Sequence, residues 1–176
     1  MSRRGAALAF LIAAIAGAAL AAGASAQPPP PPVALQGTFQ MSGTVTVESH
    51  VRGEHVGQAV TRTWTFTPRC PTARCATVQL VRQRAAGTDT LILHATASGT
   101  YAGTGGFYAP LRCSGHVYAR GQLVPFRITV RVTAGTGTVA SAINATYVNR
   151  ARANLTPCIG ILGHDSARYT GQPVSG

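Results

Sequence analysis

The chain has 176 residues, a hydrophobic fraction of 45% and a formal net charge of +11, from 15 basic residues against only 4 acidic ones. The few carboxylates argue against a hydrolase or a calcium site, since both usually draw on more acidic residues. The charge bears on polyanionic partners and solubility but not on the fold. Every basic residue counted is Arg, which is typical of a high-GC bacterial genome.

Residues 1–26 are predicted to be a secretory signal peptide. Arg3 and Arg4 precede an uncharged apolar stretch at 6–22, and Ala-Ser-Ala at 24–26 offers the small residues that signal peptidase accepts. Small alanines follow the arginine pair, so we favour the general secretory route over the twin-arginine route. Cleavage near Ala26 predicts a secreted or envelope-associated protein without a mature transmembrane segment.

Residues 27–34 are predicted to be a proline-rich linker, because five consecutive prolines favour an extended polyproline II conformation. The linker could be a stalk through a cell wall, a ligand for a proline-binding module or a solvated tail, and we favour the tail. The remaining residues, 35–176, suit one domain of ordinary size. After cleavage, 13 basic residues face 4 acidic ones, a net charge of about +9.

Strands are predicted along the whole domain because apolar and polar residues alternate with period two. The alternation begins at Phe39 and is most regular from Val124 to Val132. Gly-rich turn signals separate the runs, notably at 104–106 and 120–122. The other predicted strands occupy 59–67, 76–84, 90–97, 99–104, 111–119, 138–148 and 165–171.

These runs predict an all-β fold of eight or nine strands in a single antiparallel meander. A closed or nearly closed, calycin-like barrel is preferred over a two-sheet sandwich, because short sequential hairpins suit a meander. An immunoglobulin-type sandwich would place Trp64 between paired cysteines, whereas it precedes all four. The main predicted core residues are Trp64, Phe66, Leu80, Leu91, Leu93, Phe126, Ile128, Ile143 and Tyr147.

Four cysteines in an exported chain indicate disulfide bonds, for which three pairings exist. We prefer Cys70–Cys75, across a short Pro-containing turn, together with Cys113–Cys158. The chain-entropy stabilisation is about 2 kcal/mol for the loop of about six residues and about 4 kcal/mol for that of about 46. A zinc site fits poorly, since no C-x2-C spacing or finger-like histidine pair is present.

The segment W-T-F-T-P-R-C at 64–70, the second cysteine at 75 and the alternating strand after it resemble small secreted β-rich proteins of high-GC Gram-positive bacteria. The plan of export signal, glycine-containing first strand, meander and late disulfide is also similar to lipocalin-like barrels. The G-x-W of many lipocalins is missing, because Phe39 stands two residues after Gly37. Neither resemblance implies catalytic residues.

No catalytic residues are predicted, and the protein is not expected to be an enzyme. Glu48 falls on a polar strand face and Glu54 in a turn, which favours solvated charges over a pair in one cleft. No G-x-S-x-G motif is present. Ser114 lies near His116 and His164 adjoins Asp165, but such proximity along the chain is weak evidence for a Ser-His-Asp arrangement.

No metal or other cofactor is predicted. His50 and His55 could meet across the first hairpin with Glu54 as a third ligand, but polar residues at a solvated turn are the preferred interpretation.

Arginines give the remaining functional signal. Arg127 and Arg131 share a strand face and Arg150 and Arg152 follow nearby, which suggests contacts with an anionic envelope or extracellular polymer. Nucleic acid is disfavoured, because few aromatic residues are expected on the surface for base stacking. The alternative is a calycin-like carrier of a small apolar ligand inside the barrel. A hydrolytic enzyme is a disfavoured third hypothesis.

Overall fold

The computed structural model describes residues 33–71, 75–160 and 162–174. These residues form nine β-strands and no helix. The strands are β1 (Gly37–Ser49), β2 (Ala59–Pro68), β3 (Thr77–Arg84), β4 (Gly87–Ala97), β5 (Thr100–Cys113), β6 (His116–Thr136), β7 (Val139–Asn149), β8 (Ala153–Asn154) and β9 (His164–Pro173).

Eight of the strands close into an antiparallel barrel. Each of β1 to β6 pairs with the next strand along the chain, and β9 pairs with both β7 and β1. The two-residue strand β8 pairs only with β6 and is extra to the barrel. The predicted all-β fold and closed single meander are therefore confirmed.

The connections between the strands lie at the two ends of the barrel. Antiparallel neighbours place the β2–β3, β4–β5 and β6–β7 turns at one end, which we call the plugged end. Leu35 is buried there in the core, next to Ala34, whose N–H donates to the Thr138 carbonyl at 2.7 Å. The other connections lie at the opposite end, which we call the open end. The residues predicted for the core are all buried.

The domain begins earlier than predicted. Ala34, assigned to the linker, is 2% exposed and forms a parallel bridge with Val139. The predicted signal peptide at 1–26 and the prolines at 28–32 lie outside the described residues.

The turns predicted at 104–106 and 120–122 are wrong. Their glycines allow neighbouring side chains to pack closely and do not reverse the chain. Gly105 lies inside β5, where a Cβ atom would come within 2.6 Å of the Phe126 ring. Gly121 lies inside β6, where a Cβ atom would come within 2.5 Å of Leu111. The chain reverses at Ser114 and Gly115 instead, with φ of 47° and 82°. The predicted strand at 99–104 corresponds to the start of β5, whereas the one predicted at 111–119 contains the turn and includes the end of β5 and the start of β6.

Both preferred disulfide bonds are present. Cys70–Cys75 closes the β2–β3 connection at the plugged end, with a Cα–Cα distance of 5.5 Å. Cys113–Cys158 ties the β5–β6 turn to the segment between β8 and β9, with a Cα–Cα distance of 6.1 Å. This second bond holds two connections of the open end together.

Candidate functional site

The open end of the barrel contains a cavity of about 650 Å³, which we call the mouth cavity. Its polar lining includes six arginines but only two carboxylates, Glu54 and Asp165. Its apolar lining comes mainly from the inward faces of the strands and from the β5–β6 hairpin. The arginines are Arg52, Arg62, Arg82, Arg84, Arg112 and Arg152.

Arg82 and Arg84 form one wall of the cavity because they share the carboxylate of Asp89. Arg82 Nε donates to Asp89 Oδ2 at 3.0 Å, and Arg84 Nε donates to Oδ1 at 2.8 Å. Arg82 and Asp89 are only 3% and 7% exposed. The Arg82 guanidinium lies 4.3 Å from the Phe126 ring centroid, and that of Arg84 lies 3.8 Å from Phe107. Two cations thus share one anion, which leaves this wall positive.

A second ion pair, Arg152–Asp165, lies across the cavity. Arg152 Nη2 donates to Asp165 Oδ1 at 2.8 Å, and both side chains are about nine-tenths buried. Asn149 turns the chain inward here, because its Nδ2 donates to the carbonyls of Pro125 at 2.6 Å and Ala151 at 2.7 Å. The predicted role of Arg152 as an outer polyanion contact does not agree with this position.

Arg62 differs from these residues because no carboxylate lies within 4 Å of it among the described residues. It occupies an inward position of β2 between Val60 and Trp64, and its Nη1 donates to the Thr61 carbonyl at 2.7 Å. Arg52 and Arg112 also form no ion pair within the described part of the chain, but they are exposed, whereas Arg62 is half-buried.

The four carboxylates lie at one end of the barrel. Glu48 ends β1 and accepts a hydrogen bond from the Val51 N–H at 2.7 Å, while Glu54 lies in the β1–β2 loop and lines the cavity. Asp89 begins β4 and Asp165 begins β9, so all four acidic residues lie at the open end. The interpretation of Glu54 as a freely solvated charge is wrong, because it is half-buried.

The cavity raises the pKa of several groups. Burial raises the pKa of Glu54, Asp165 raises it further, and the nearby arginines Arg152 and Arg62 oppose both effects. Burial also raises the pKa of the Tyr147 and Tyr169 hydroxyls. Burial is the largest cause at each of these three groups and outweighs the opposing effect of the nearby arginines there.

The remaining sequence candidates do not converge. Ser114 and His116 flank the β5–β6 turn, whereas the Asp165 carboxylate bonds to Arg152. His50 Nδ1 lies 2.8 Å from Ser49 Oγ. Within 33–71, 75–160 and 162–174, no group of three His, Cys, Asp or Glu side chains is arranged to hold a metal ion.

Trp64 lies in the interior below Arg62, fully buried. Its ring centroid is 5.3 Å from that of Tyr169, a cavity-lining residue. Its Nε1–H has no hydrogen-bond partner among the described residues. Because it is the chain's single tryptophan, its fluorescence reports on the barrel interior.

Of the predicted outer arginines, Arg127, Arg131 and Arg150 are exposed. Arg127 and Arg131 point outward from β6, as their alternation with buried residues predicts. Sequence reasoning missed the cavity residue Arg62, although it interrupts the apolar alternation from Val60 to Phe66.

Together the fold and site define a disulfide-bonded, closed eight-stranded barrel with a charged cavity at one end. Comparison with protein-family models, curated proteins and solved structures finds no match. The resemblance to lipocalin-like secreted proteins therefore stays a prediction. No helix formed by the described residues has the length and apolar character needed to span a bilayer.

Proposed function

We propose that this protein is an exported, non-catalytic binding protein whose mouth cavity takes a small anionic ligand with an apolar body. The observation that carries the proposal is Arg62, a half-buried residue that lines a cavity of about 650 Å³ and forms no ion pair within 4 Å among the described residues. Cavities of this size are typical of small-molecule sites. The predicted signal peptide and the two disulfide bonds support export.

The charge of the cavity favours an anion. Asp89 is shared by two arginines, and Asp165 is occupied by Arg152. An anionic group that reached Arg62 would form charge-assisted hydrogen bonds in a partly dry site, where such bonds are strong. Glu54 forms no ion pair within 4 Å among the described residues, so it does not occupy the Arg62 guanidinium.

The walls favour a ligand with an apolar body as well. Hydrophobic side chains alternate with the arginines around the cavity, and they come from β1, β2, β5 and β6. The sequence hypothesis of a purely apolar ligand therefore becomes one of an amphiphile, with its anion at Arg62. The hydrophobic lining includes Val45, Val60, Phe107, Leu111 and Val117.

A pair of dyes tests this proposal. Anilinonaphthalene sulfonate is anionic, and N-phenylnaphthylamine is a close uncharged relative. Arg62→Gln should weaken binding of the sulfonate about tenfold, since a charge-assisted hydrogen bond contributes about 1.5 kcal/mol or more. Binding of the uncharged dye should change little. Energy transfer from Trp64 to the dye measures both affinities.

Arg69→Gln is the matched control, because it removes the same charge from an exposed position at the plugged end. Its affinity for the sulfonate should equal that of the unchanged protein. Equal affinities of the Arg62 and Arg69 variants, or sulfonate binding without energy transfer from Trp64, would contradict the proposal. Near-ultraviolet circular dichroism confirms that each variant keeps its native packing.

Sulfonate binding should weaken as pH rises from about 4.5, the ordinary pKa of a glutamate, towards neutrality. Glu54 has a raised pKa, so it becomes negative across this interval and then repels the bound anion. By linkage, a bound anion raises the pKa of Glu54 further, which makes binding tighter at the lower pH. Titrations at a series of pH values measure the effect.

Glu54→Gln should remove most of this pH dependence and improve binding at neutral pH about threefold, since a half-exposed charge pair contributes about 0.5–1 kcal/mol. An unchanged pH profile in the variant would assign the dependence to another group.

A further inference from the structure

A second concave surface lies on the outside of the barrel wall. It is an open groove of about 760 Å³ across β1, β9, β7 and β6, which we call the outer groove. Strand alternation turns its polar side chains away from the interior, and Tyr169 is the residue that lines both the outer groove and the mouth cavity. The groove exists because β9 inserts between β1 and β7 and so brings four outward faces together.

Two rows of polar side chains cross the outer groove. Strand register fixes both rows, and each takes one residue from each of the four strands. Hydroxyl, amide and guanidinium groups alone make up the rows, without a carboxylate. The first row is Ser42, Thr170, Asn144 and Arg131, and the second is Thr44, Arg168, Thr146 and Thr129.

Arg131 and Arg168 are the two charges of the groove, and both are exposed. Among the described residues neither has a carboxylate within 4 Å, because the acidic residues lie at the open end. Arg131 and Arg168 lie in adjacent rows, and β7 lies between their two strands. Their Cα atoms are therefore roughly 12 Å apart. An extended chain with several anionic groups can contact both.

We infer that the outer groove binds an acidic polysaccharide, with Arg131 and Arg168 contacting successive anionic groups and the Thr, Ser and Asn side chains contacting hydroxyls. Charge complementarity supports this occupant, because the groove has two cations and no anion. The hydroxyl and amide rows suit a ligand that is itself rich in hydroxyls. Single-stranded nucleic acid fits less well, because no exposed aromatic side chain lines the groove for base stacking.

This inference does not depend on the mouth cavity. It revises the set of arginines that the sequence suggested for polyanions, since Arg131 remains and Arg168 is added. Arg127 continues the exposed face of β6 beyond the groove, opposite Val148. Arg152 is not part of this surface because it bonds to Asp165.

Binding of polygalacturonate, measured by calorimetry at low and moderate salt, tests the inference. The double variant Arg131→Gln/Arg168→Gln should bind at least tenfold more weakly than the unchanged protein. The control double variant Arg69→Gln/Arg120→Gln also removes two exposed arginines, but outside the groove, and should lose less than threefold. Equal losses in the two double variants would show that net charge alone governs binding, and would overturn the inference.

A second variant tests the hydroxyl rows while keeping every charge. Thr129→Val/Thr146→Val is nearly isosteric and suits β-strands, and it should weaken polygalacturonate binding about threefold or more. Binding of uncharged dextran should be undetectable for every protein. Unchanged affinity of the valine variant, or tighter binding of an oligothymidylate than of polygalacturonate by the unchanged protein, would overturn the assignment to a polysaccharide. Dye binding in the mouth cavity should be the same for all these variants.

Discussion

Asp89→Asn should lower the free energy of unfolding by about 3 kcal/mol, the lower range for breaking a buried ion pair by removing one partner. Asp89 is the shared acceptor for Arg82 and Arg84, and it is 7% exposed. Asparagine keeps the size of the side chain but leaves two guanidinium groups without a counter-charge. Arg84 can turn to water at the rim, whereas Arg82 is held between β2 and β4 over the Phe126 ring. Urea unfolding followed by Trp64 fluorescence measures the loss.

The second variant of this prediction removes the charge that Asp89→Asn leaves unpaired. Arg82→Met/Asp89→Asn should recover at least half of the lost free energy, because an apolar side chain can pack against Phe126 and Tyr147 in place of the guanidinium. A loss below 1 kcal/mol in Asp89→Asn alone would mean that water in the mouth cavity solvates Arg82, and that the wall is not held by this ion pair.

Much of the fold could be predicted because period-two alternation is a local property of the chain. Inward residues such as Trp64 and Ile128 were identified from their strand neighbours, and both are fully buried. The order of the strands followed from the short connections between them. The closure of the barrel also followed, because an eight-stranded meander with one apolar face has few other ways to cover its edges.

The position of the turn between β5 and β6 could not be predicted from the sequence in the same way. Glycine is permissive both for chain reversal and for close approach of a neighbouring side chain. Gly105 and Gly121 serve the second purpose, since Phe126 and Leu111 occupy the space that a Cβ atom would need. The packing partner of Gly105 lies 21 residues away in the chain, so local sequence could not separate the two uses.

The mouth cavity was visible in the sequence only as charged residues on apolar faces. Arg62 stands between Val60 and Trp64, and Arg82 follows Leu80 on the inward face of β3. Alternation therefore predicts that these arginines point inward, but not which side chains they meet. Their relation to Asp165 depends on β9 lying between β7 and β1, which is a property of the closed barrel. The same insertion creates the outer groove and brings Arg168 next to Thr44 and Thr146.

Removal of the Cys113–Cys158 bond by a double serine substitution should lower the free energy of unfolding by about 4 kcal/mol, because the bond closes a long loop in the unfolded chain. The corresponding loss for Cys70–Cys75 should be about 2 kcal/mol, since its loop is short. Urea unfolding of the two double variants under identical conditions gives the difference directly, and each variant is the control for the other.

Removal of the two disulfide bonds should also have different effects on sulfonate binding. Cys158 lies in the connection that carries Arg152, and Cys113 lies at the turn of the hairpin that supplies Leu111 and Val117 to the cavity wall. Loss of this bond frees both connections at the open end, so sulfonate affinity should fall severalfold even where the barrel remains folded. Loss of Cys70–Cys75 at the plugged end should leave that affinity unchanged. If both double variants bind the sulfonate with unchanged affinity, the strands alone shape the cavity, and the Cys113–Cys158 bond has no part in ligand binding.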